Sequence, residues 1–367
     1  MVDYVFTVCG AGRAGAAIAA DIALMGHKVN LYELEQFKQQ INPIIEHGGI
    51  ELSGRSQSGR NGFAKLNKIT TNPEEAVEDA DLIIISSPAF SHNIFFEYVL
   101  PYLKPGQCVL VTTGYWASLR FTDKLKKSGK FGKIVVAESN IMPYLSDKDG
   151  YHSHILNLKR EIVFSPFPGT TEGRLASLLK LVYPQMRRVP NILYTNLECG
   201  NPSVHATFLL PVAGLAFDRY RGCKLYGEAT SCGARLVEAF DKERVKVANA
   251  LDCKVTETEL EAVKKQYGYE GKDAAEAYRK SVHADRFIPA ERLKAILMED
   301  LGYFYVPLSR LGSSLGVPTP VTSGIVEVWG AIQEVNYWEK GLTLKDLGLE
   351  GLNANQIIKY VNFGPDS

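Results

Sequence analysis

The sequence predicts an α/β domain with a doubly wound parallel sheet, followed by an all-helical domain, and three observations carry that prediction. Up to residue 187, short apolar runs alternate with amphipathic stretches, the rhythm of strands and helices around a sheet buried on both faces. Beyond 187 the strand patterns stop and helical periodicity takes over. A G-x-G-x-x-G spacing stands where the first apolar run meets the first helical stretch. At 367 residues the chain exceeds one ordinary core, so two domains are expected, 1–187 and 188–367.

Taken in order, "YVFTVCG" (4–10), "KVNLYE" (28–33), "DLIIISSP" (81–88), the run 107–114 and "KIVVAES" (133–139) read as buried strands. Helical patterns fill 13–25, 34–46, 90–102 and 116–127 between them. "LSGRSQSGRNGF" (52–63) reads as a mobile surface loop, or as a flap whose Arg55 or Arg60 reaches a bound anion. His152 and His154 read as part of a polar loop, and 160–184 as a last strand, turn and helix. The second domain carries helical periodicity at 197–219, 231–250, 256–266, 272–281, 289–301, 321–335 and 353–361.

Composition narrows the function. Forty-one basic against 41 acidic residues give no net charge, which argues against broad electrostatic capture of nucleic acid or an anionic membrane surface. No apolar run reaches the roughly 18 residues of a membrane span, and "MVDYVFTVCGAG" enters a strand with no basic leader. The six cysteines are scattered, without a C-x-x-C pair. Neither a disulfide framework nor a metal site is expected, and a reducing cytoplasm is.

"GAGRAG" places Gly10, Gly12 and Gly15 between a strand and a helix, with a second strand ending at Glu33. That context marks a Rossmann-type dinucleotide site. The first glycine makes the tight turn, the second lets backbone approach a pyrophosphate, and the third lets helix pack on strand. Arg13 and Ala14 share the turn, where helix N–H groups and the positive dipole end face the phosphates. A carboxylate at Glu33 accepts from adenosine ribose hydroxyls and repels a 2′-phosphate, so NAD is expected over NADP. Arg13 and the arginines of 52–63 keep NADP possible. Pro88 and His92 in "SSPAFSH", and Gly114 in "TTG", follow later strands on the same carboxyl edge, where the cofactor is expected to lie.

Several ordered pieces then resemble the octopine/nopaline (opine) dehydrogenase family over nearly the whole length. They are "CGAGRAG", "SSPAFSH", "ESNIMPY" (138–144), "NPSVH" (201–205), "EAFDKERVKVANALD" (238–252), "EDLGYFYVPLSRLGSSLGVPTP" (299–320) and "GLTLKDLGLEGL" (341–352). The resemblance implies a Rossmann domain followed by a helical domain, and NAD(P)H-dependent reductive condensation of an α-keto acid with an amino acid's amine. It implies His205 as the catalytic histidine, Pro88, Ala89 and His92 near the cofactor, and a homodimer by analogy. Two departures stand out. Family members carry an arginine one to two turns before the E-D pair, for a substrate carboxylate, and here Ala295 stands in that place, with Arg292 and Arg286 earlier. The proline-containing segment after the catalytic helix is shortened around "GEATSCG" (227–233).

Read from the residues, Asn201 and His205 are i and i+4, so both fall on one helical face, and Pro202 suits a first helical turn. Hydride chemistry at a carbonyl or imine needs a proton donor whose pKa lies near working pH, which histidine supplies. A residue just past the domain boundary is placed to face a nicotinamide, since clefts between domains are preferred small-molecule sites. His205 is therefore the expected acid, with Asp300 fixing its tautomer and Asn201 orienting the substrate; Glu299 is the alternative carboxylate, and core packing the alternative role for His205. For substrate carboxylates the basic candidates are Arg292, Arg286 and Lys224, and Tyr226, Tyr144 and Thr112 offer polar contacts. The expected activity is an opine-type dehydrogenase acting on small molecules. A dehydrogenase of the same architecture without an amine partner, or a non-catalytic NAD-binding protein, are the alternatives.

Overall fold

A computed structural model describes residues 4–198 and 200–365, with Asn201 described by its backbone. Two compact units divide the chain, Met1–Thr195 and Asn196–Ser367. Residues 188–195 join the first unit partly through Thr195, whose buried Oγ1 donates to Glu138 Oε1 at 3.2 Å.

The first unit opens with β1 (Val5–Cys9), α1 (Arg13–Leu24), β2 (Lys28–Tyr32) and α2 (Asn42–His47). Strands β3 (Gly49–Gly54), β4 (Gly62–Lys65) and β5 (Lys68–Thr70) follow, then α3 (Pro73–Val77), β6 (Leu82–Ile85), α4 (Ala89–Val99), β7 (Cys108–Val111) and α5 (Ala117–Lys127). The unit continues with β8 (Val135–Ser139), β9 (Tyr144–Asp149), β10 (His152–Leu158), β11 (Ile162–Phe167), α6 (Leu175–Val182) and β12 (Met186–Arg188). An eight-stranded sheet has the order β12-β11-β8-β7-β6-β1-β2-β5. β1, β6 and β7 are wholly buried or nearly so, as strands covered by helices on both faces must be.

This sheet is not parallel throughout. β11 runs antiparallel to β8, because the chain between them folds as the β9–β10 hairpin instead of a crossover helix. That hairpin belongs to a second, four-stranded sheet, β4-β3-β10-β9, which the sequence reading missed. Two expectations are corrected by it. The stretch 52–63 is no plain mobile loop, since its ends are β3 and β4, and His152 and His154 lie in β10. The turn is tied to α1: buried Asp21 accepts from the Gln57 and Ser58 N–H groups at 2.7 and 3.0 Å, and from the Tyr144 hydroxyl. Arg60, offered as an anion ligand, instead donates to the Leu24 carbonyl near the helix C-terminus at 2.7 Å.

The second unit is helical. α7 (Ile192–Leu197) leads across the divide into α8 (Asn201–Leu209). A two-residue ladder, β13 (Gly222–Cys223) with β14 (Ile288–Pro289), is its one extended pairing among the described residues. The remaining helices are α9 (Ser231–Ala250), α10 (Glu259–Tyr267), α11 (Ala274–Arg279), α12 (Ala290–Asp300), α13 (Val306–Ser314), α14 (Pro320–Gln333), α15 (Tyr337–Lys340) and α16 (Ala354–Phe363). α13 lay outside the predicted helices, because its Pro307 reads as a breaker. The structure accommodates it with a π-helical segment, Leu301–Tyr305, that widens the helix just before the proline and just after Asp300.

The "EAFDKER" motif is scaffold. Arg244 is fully buried, paired with Asp241 at 3.1 Å, and donates to the carbonyls of Leu197 and Thr256. Glu243 accepts from the Val321 and Thr322 N–H groups at the start of α14, where a carboxylate also meets the positive dipole end.

Asp21→Ala removes one acceptor from three donors. Because each buried donor left unpaired costs about 1–3 kcal/mol, the variant is expected to lose about 3 kcal/mol in urea unfolding. A loss below about 1 kcal/mol would contradict the tie between the turn and α1.

Candidate active site

In the first unit the glycine turn has the geometry that each position demands. Gly10 sits at φ +105°, and a Cβ there would lie 2.4 Å from the Ser86 carbonyl oxygen. A Cβ on Gly15 would lie 1.8 Å from the Gly10 oxygen, so only glycine lets α1 pack on β1. Around Gly12 a Cβ would meet nothing within 4 Å, leaving open space over the N-terminus of α1. Gly12 caps that helix with no side-chain hydrogen bond, so the first N–H groups are available to an anion. Ala14 is half-buried in the same turn, and Arg13 reaches Asp147 at 3.6 Å on the second sheet.

Glu33 follows β2 and is buried. Its Oε2 accepts from the Ala11 N–H at 2.8 Å, inside the glycine turn, and its Oε1 from the Leu34 N–H at 2.9 Å. Burial raises its pKa, against the lowering effects of those two N–H groups and of Lys148.

Pro88 is the N-cap of α4, and Ser86 beside it donates its N–H to the Cys9 carbonyl. His92 is fully buried on α4, its Nε2 bonded to the Ser87 carbonyl oxygen at 2.9 Å. Burial and the Arg120 cation hold its pKa down at about 3, over the opposing backbone of Ser87 and Gly114. The neutral imidazole donates its Nε2 proton to the Ser87 carbonyl, which braces the 87–88 turn. Gly114 packs on Glu138, whose Cβ would lie 2.3 Å from a Cβ at that position. Thr112 spends its hydroxyl on the Ile85 carbonyl at 3.2 Å.

Beyond β7 the backbone is strained in a way the sequence does not signal. Thr113, Tyr115 and Trp116 have φ of 59°, 47° and 64°, in the left-handed region disfavoured for such side chains. Strain of this kind collects where function over-determines the backbone. Thr113 Oγ1 is buried there with no hydrogen-bond partner among the described residues. The open glycine turn, the uncapped helix, Glu33 and this unsatisfied hydroxyl together fit a dinucleotide along the carboxyl edge of the sheet.

Tyr144 is corrected. It is 1% exposed, with its hydroxyl on Asp21 and its ring against Tyr183 at 5.8 Å, so it belongs to the core of the first unit and offers nothing to a substrate.

In the second unit, His205 on α8 is held at both ring nitrogens. Nδ1 lies 2.8 Å from Asp300 Oδ2 and Nε2 lies 2.9 Å from the Tyr226 hydroxyl. Asp300, the last residue of α12, is buried, and it rather than Glu299 is the carboxylate on the imidazole. α8 is held in turn by Trp329, which donates to the Ala206 carbonyl, and by Tyr305, which donates to that of Pro202, both at 3.0 Å. The Asn201 side chain lies outside the described residues.

Tyr226 sits in the turn between β13 and α9. The next residue, Gly227, lies against the Ala284 backbone so closely that a Cβ would be 2.2 Å from its carbonyl oxygen. Burial raises the Tyr226 pKa, helped by Asp300 and Glu259, while the cations of Arg286 and Arg292 work against it. Arg286 and Arg292 thus stand near enough to bias its proton, while Lys224 is spent on exposed Asp285 at 2.9 Å.

Comparison with known proteins places this geometry. Residues 188–333 match the family described as NAD/NADP octopine/nopaline dehydrogenase, alpha-helical domain. An opine dehydrogenase of Arthrobacter sp. (strain 1C) is 29% identical over 362 residues, covering 95% of this chain and 96% of that protein. Among solved structures, octopine dehydrogenase with NADH and L-arginine shares the fold with a TM-score of 0.74 at 17% identity, over 97% of this chain and 98% of the other. Yersinopine dehydrogenase with NADP+ bound shares it at 0.69 and 15% identity, over 98% of each chain. The protein is thus an NAD(P)-dependent oxidoreductase. Its residues 188–333 match the alpha-helical domain of the octopine/nopaline dehydrogenases, and nearly the whole chain is similar to an opine dehydrogenase.

The folded state keeps His92 neutral down to about 3, whereas the unfolded chain takes up the proton near 6.5. The unfolded state binds more protons between those values, so stability falls as pH drops through that window, by about 1.4 kcal/mol per pH unit for one group. His92→Gln is expected to flatten the pH dependence of urea unfolding by one proton. An unchanged slope would contradict the buried neutral imidazole.

Proposed function

We propose that the protein is an opine dehydrogenase, reductively condensing a small α-keto acid with the amino group of an amino acid. The observation that carries this reading is the His205–Asp300 pair, with its second ring nitrogen directed at Tyr226. Glu33, the open Gly12 turn and the N-terminus of α1 would hold the adenosine and pyrophosphate of NAD. The bound dinucleotide supplies hydride to the carbon of the C=N bond.

The proton balance assigns His205 its task. An amino acid arrives as ammonium and must lose one proton before its nitrogen attacks the keto carbon. The carbinolamine must then gain a proton on its hydroxyl to lose water and leave a protonated C=N bond. A single acid–base group can take the first proton and return it for the second. His205 suits both directions because Asp300 fixes Nδ1 as the donor nitrogen and faces the imidazolium when it forms.

Both substrates carry carboxylates, and in this chain Ala295 stands where the family resemblance expects an arginine. Arg286 and Arg292, whose charges act on Tyr226, are the proposed replacements. NAD is proposed over NADP, because a carboxylate at the ribose repels a 2′-phosphate. By the family resemblance the enzyme is proposed as a homodimer, and its scattered cysteines, with no C-x-x-C pair, favour a reducing cytoplasm.

NADH oxidation is expected to be slow with pyruvate alone and faster once L-amino acids are added. Equal rates would favour a dehydrogenase with no amine partner. His205→Ala should lower kcat by about 10²–10⁴-fold, the usual contribution of such a group; a loss under about tenfold would remove His205 from the chemistry. Glu33→Ala should weaken NADH binding more than NADPH binding in fluorescence titrations, and equal weakening would count against the ribose contact.

A further inference from the structure

We propose that Tyr226 is the group that exchanges the reacting proton with the substrate, and that His205 acts through it. The inference rests on the acid–base role given to His205 above.

His205 has no nitrogen left to offer. Nδ1 faces the Asp300 carboxylate, which accepts, so the neutral ring carries its proton there and its lone pair on Nε2. The Tyr226 hydroxyl donates into that lone pair at 2.9 Å. With Nε2 occupied by the Tyr226 hydroxyl, a substrate reaches it through the tyrosine oxygen or by displacing it.

Displacement is opposed by the packing. The Tyr226 ring stacks on Tyr278 at 5.1 Å and lies against His283 at 5.0 Å. Tyr278 is anchored in turn, its hydroxyl donating to Glu259 Oε1 at 2.8 Å. The Glu259 N–H donates to Asp241 Oδ2, and Asp241 is paired with buried Arg244. The residue that follows it, Gly227, is fixed by its close approach to the Ala284 backbone. The tyrosine is as firmly placed as the histidine.

A phenol hydroxyl has one proton and two acceptor lone pairs, so it can donate to Nε2 and accept from a substrate at once. In the forward step the substrate ammonium gives a proton to Tyr226 Oη while the tyrosine's own proton moves to His205 Nε2. The electron pair released on nitrogen forms the bond to the keto carbon as the C=O π pair moves to oxygen, and a proton then shifts from that nitrogen to the alkoxide to give the carbinolamine. In the return step imidazolium gives its Nε2 proton to Tyr226 Oη, the tyrosine's proton passes to the carbinolamine hydroxyl, and the C–O bond breaks as water leaves. Tyr226 is neutral before and after both steps, as its raised pKa requires.

The test is Tyr226→Phe, which keeps the ring and its stacking. Single-turnover NADH oxidation is followed with pyruvate and whichever L-amino acid the wild-type enzyme uses fastest. The rate should fall about 10²-fold with KM little changed. The dependence on D₂O fraction should be bowed in the wild type, for two protons in flight, and linear in the variant. An unchanged or faster rate in the variant overturns the proposal, and so does a linear dependence in the wild type, whether or not the variant folds. Wild-type turnover that ignores the amine defeats the opine reading alone, and the same two measurements then test Tyr226 in that reaction. Without any turnover, the ¹⁵N resonance of His205 Nε2 decides: it should move downfield in Tyr226→Phe as the donor is lost, and no movement overturns the proposal.

Discussion

The hydrogen bond from His205 Nδ1 to Asp300 orders the buried polar cluster of the helical unit. A carboxylate accepts and does not donate, so this one contact determines which imidazole nitrogen holds the proton and which holds the lone pair. The orientation of the Tyr226 hydroxyl follows, because only a donor can complete the other side. Asp300 is in turn placed by the end of α12 and the π-helical widening that begins at the next residue, where Pro307 denies the backbone a donor. The proline's cost to the helix and the placing of the carboxylate are two sides of one local irregularity.

Around this pair the unit is held by buried charge with full hydrogen bonding. Arg244 is enclosed by Asp241 and by carbonyls from two other segments. Glu243 holds the beginning of α14, whose Trp329 reaches back to α8. Unpaired, any of these charges would be costly in such surroundings; paired, each defines a relation between helices that apolar packing alone would leave looser. Charged residues that look chemical in the sequence here frame the His205–Asp300 pair.

The strands of the large sheet were legible because each is a continuous apolar run, and the glycine turn because its spacing sits between strand and helix. The smaller sheet was not. β3 and β4 are short, partly polar and set among Gly, Ser and Arg, β10 carries two histidines and reads as a polar loop, and the β3–β10 pairing joins residues about a hundred apart. The His205–Asp300 contact was legible from motif spacing and resemblance. Tyr226 was legible only as a polar residue of unspecified use, since a turn has no periodicity to show where its side chain goes. Gly227 was the available signal, a glycine demanded by close approach. Tyr144 was misread because its partner, Asp21, lies on a helix 123 residues away.

One carboxylate in the dinucleotide half serves two masters. Glu33 is bonded to the Ala11 amide, so the residue proposed to discriminate the cofactor also braces the glycine turn. On the proposed role of Glu33, cofactor choice and loop architecture are inherited together. A lineage that drifts toward the phosphorylated dinucleotide cannot simply discard the negative charge; it must first find another acceptor for that amide. The bond thus acts as a ratchet on evolutionary and engineered change alike, favouring routes in which a second substitution near the turn comes before the swap at Glu33.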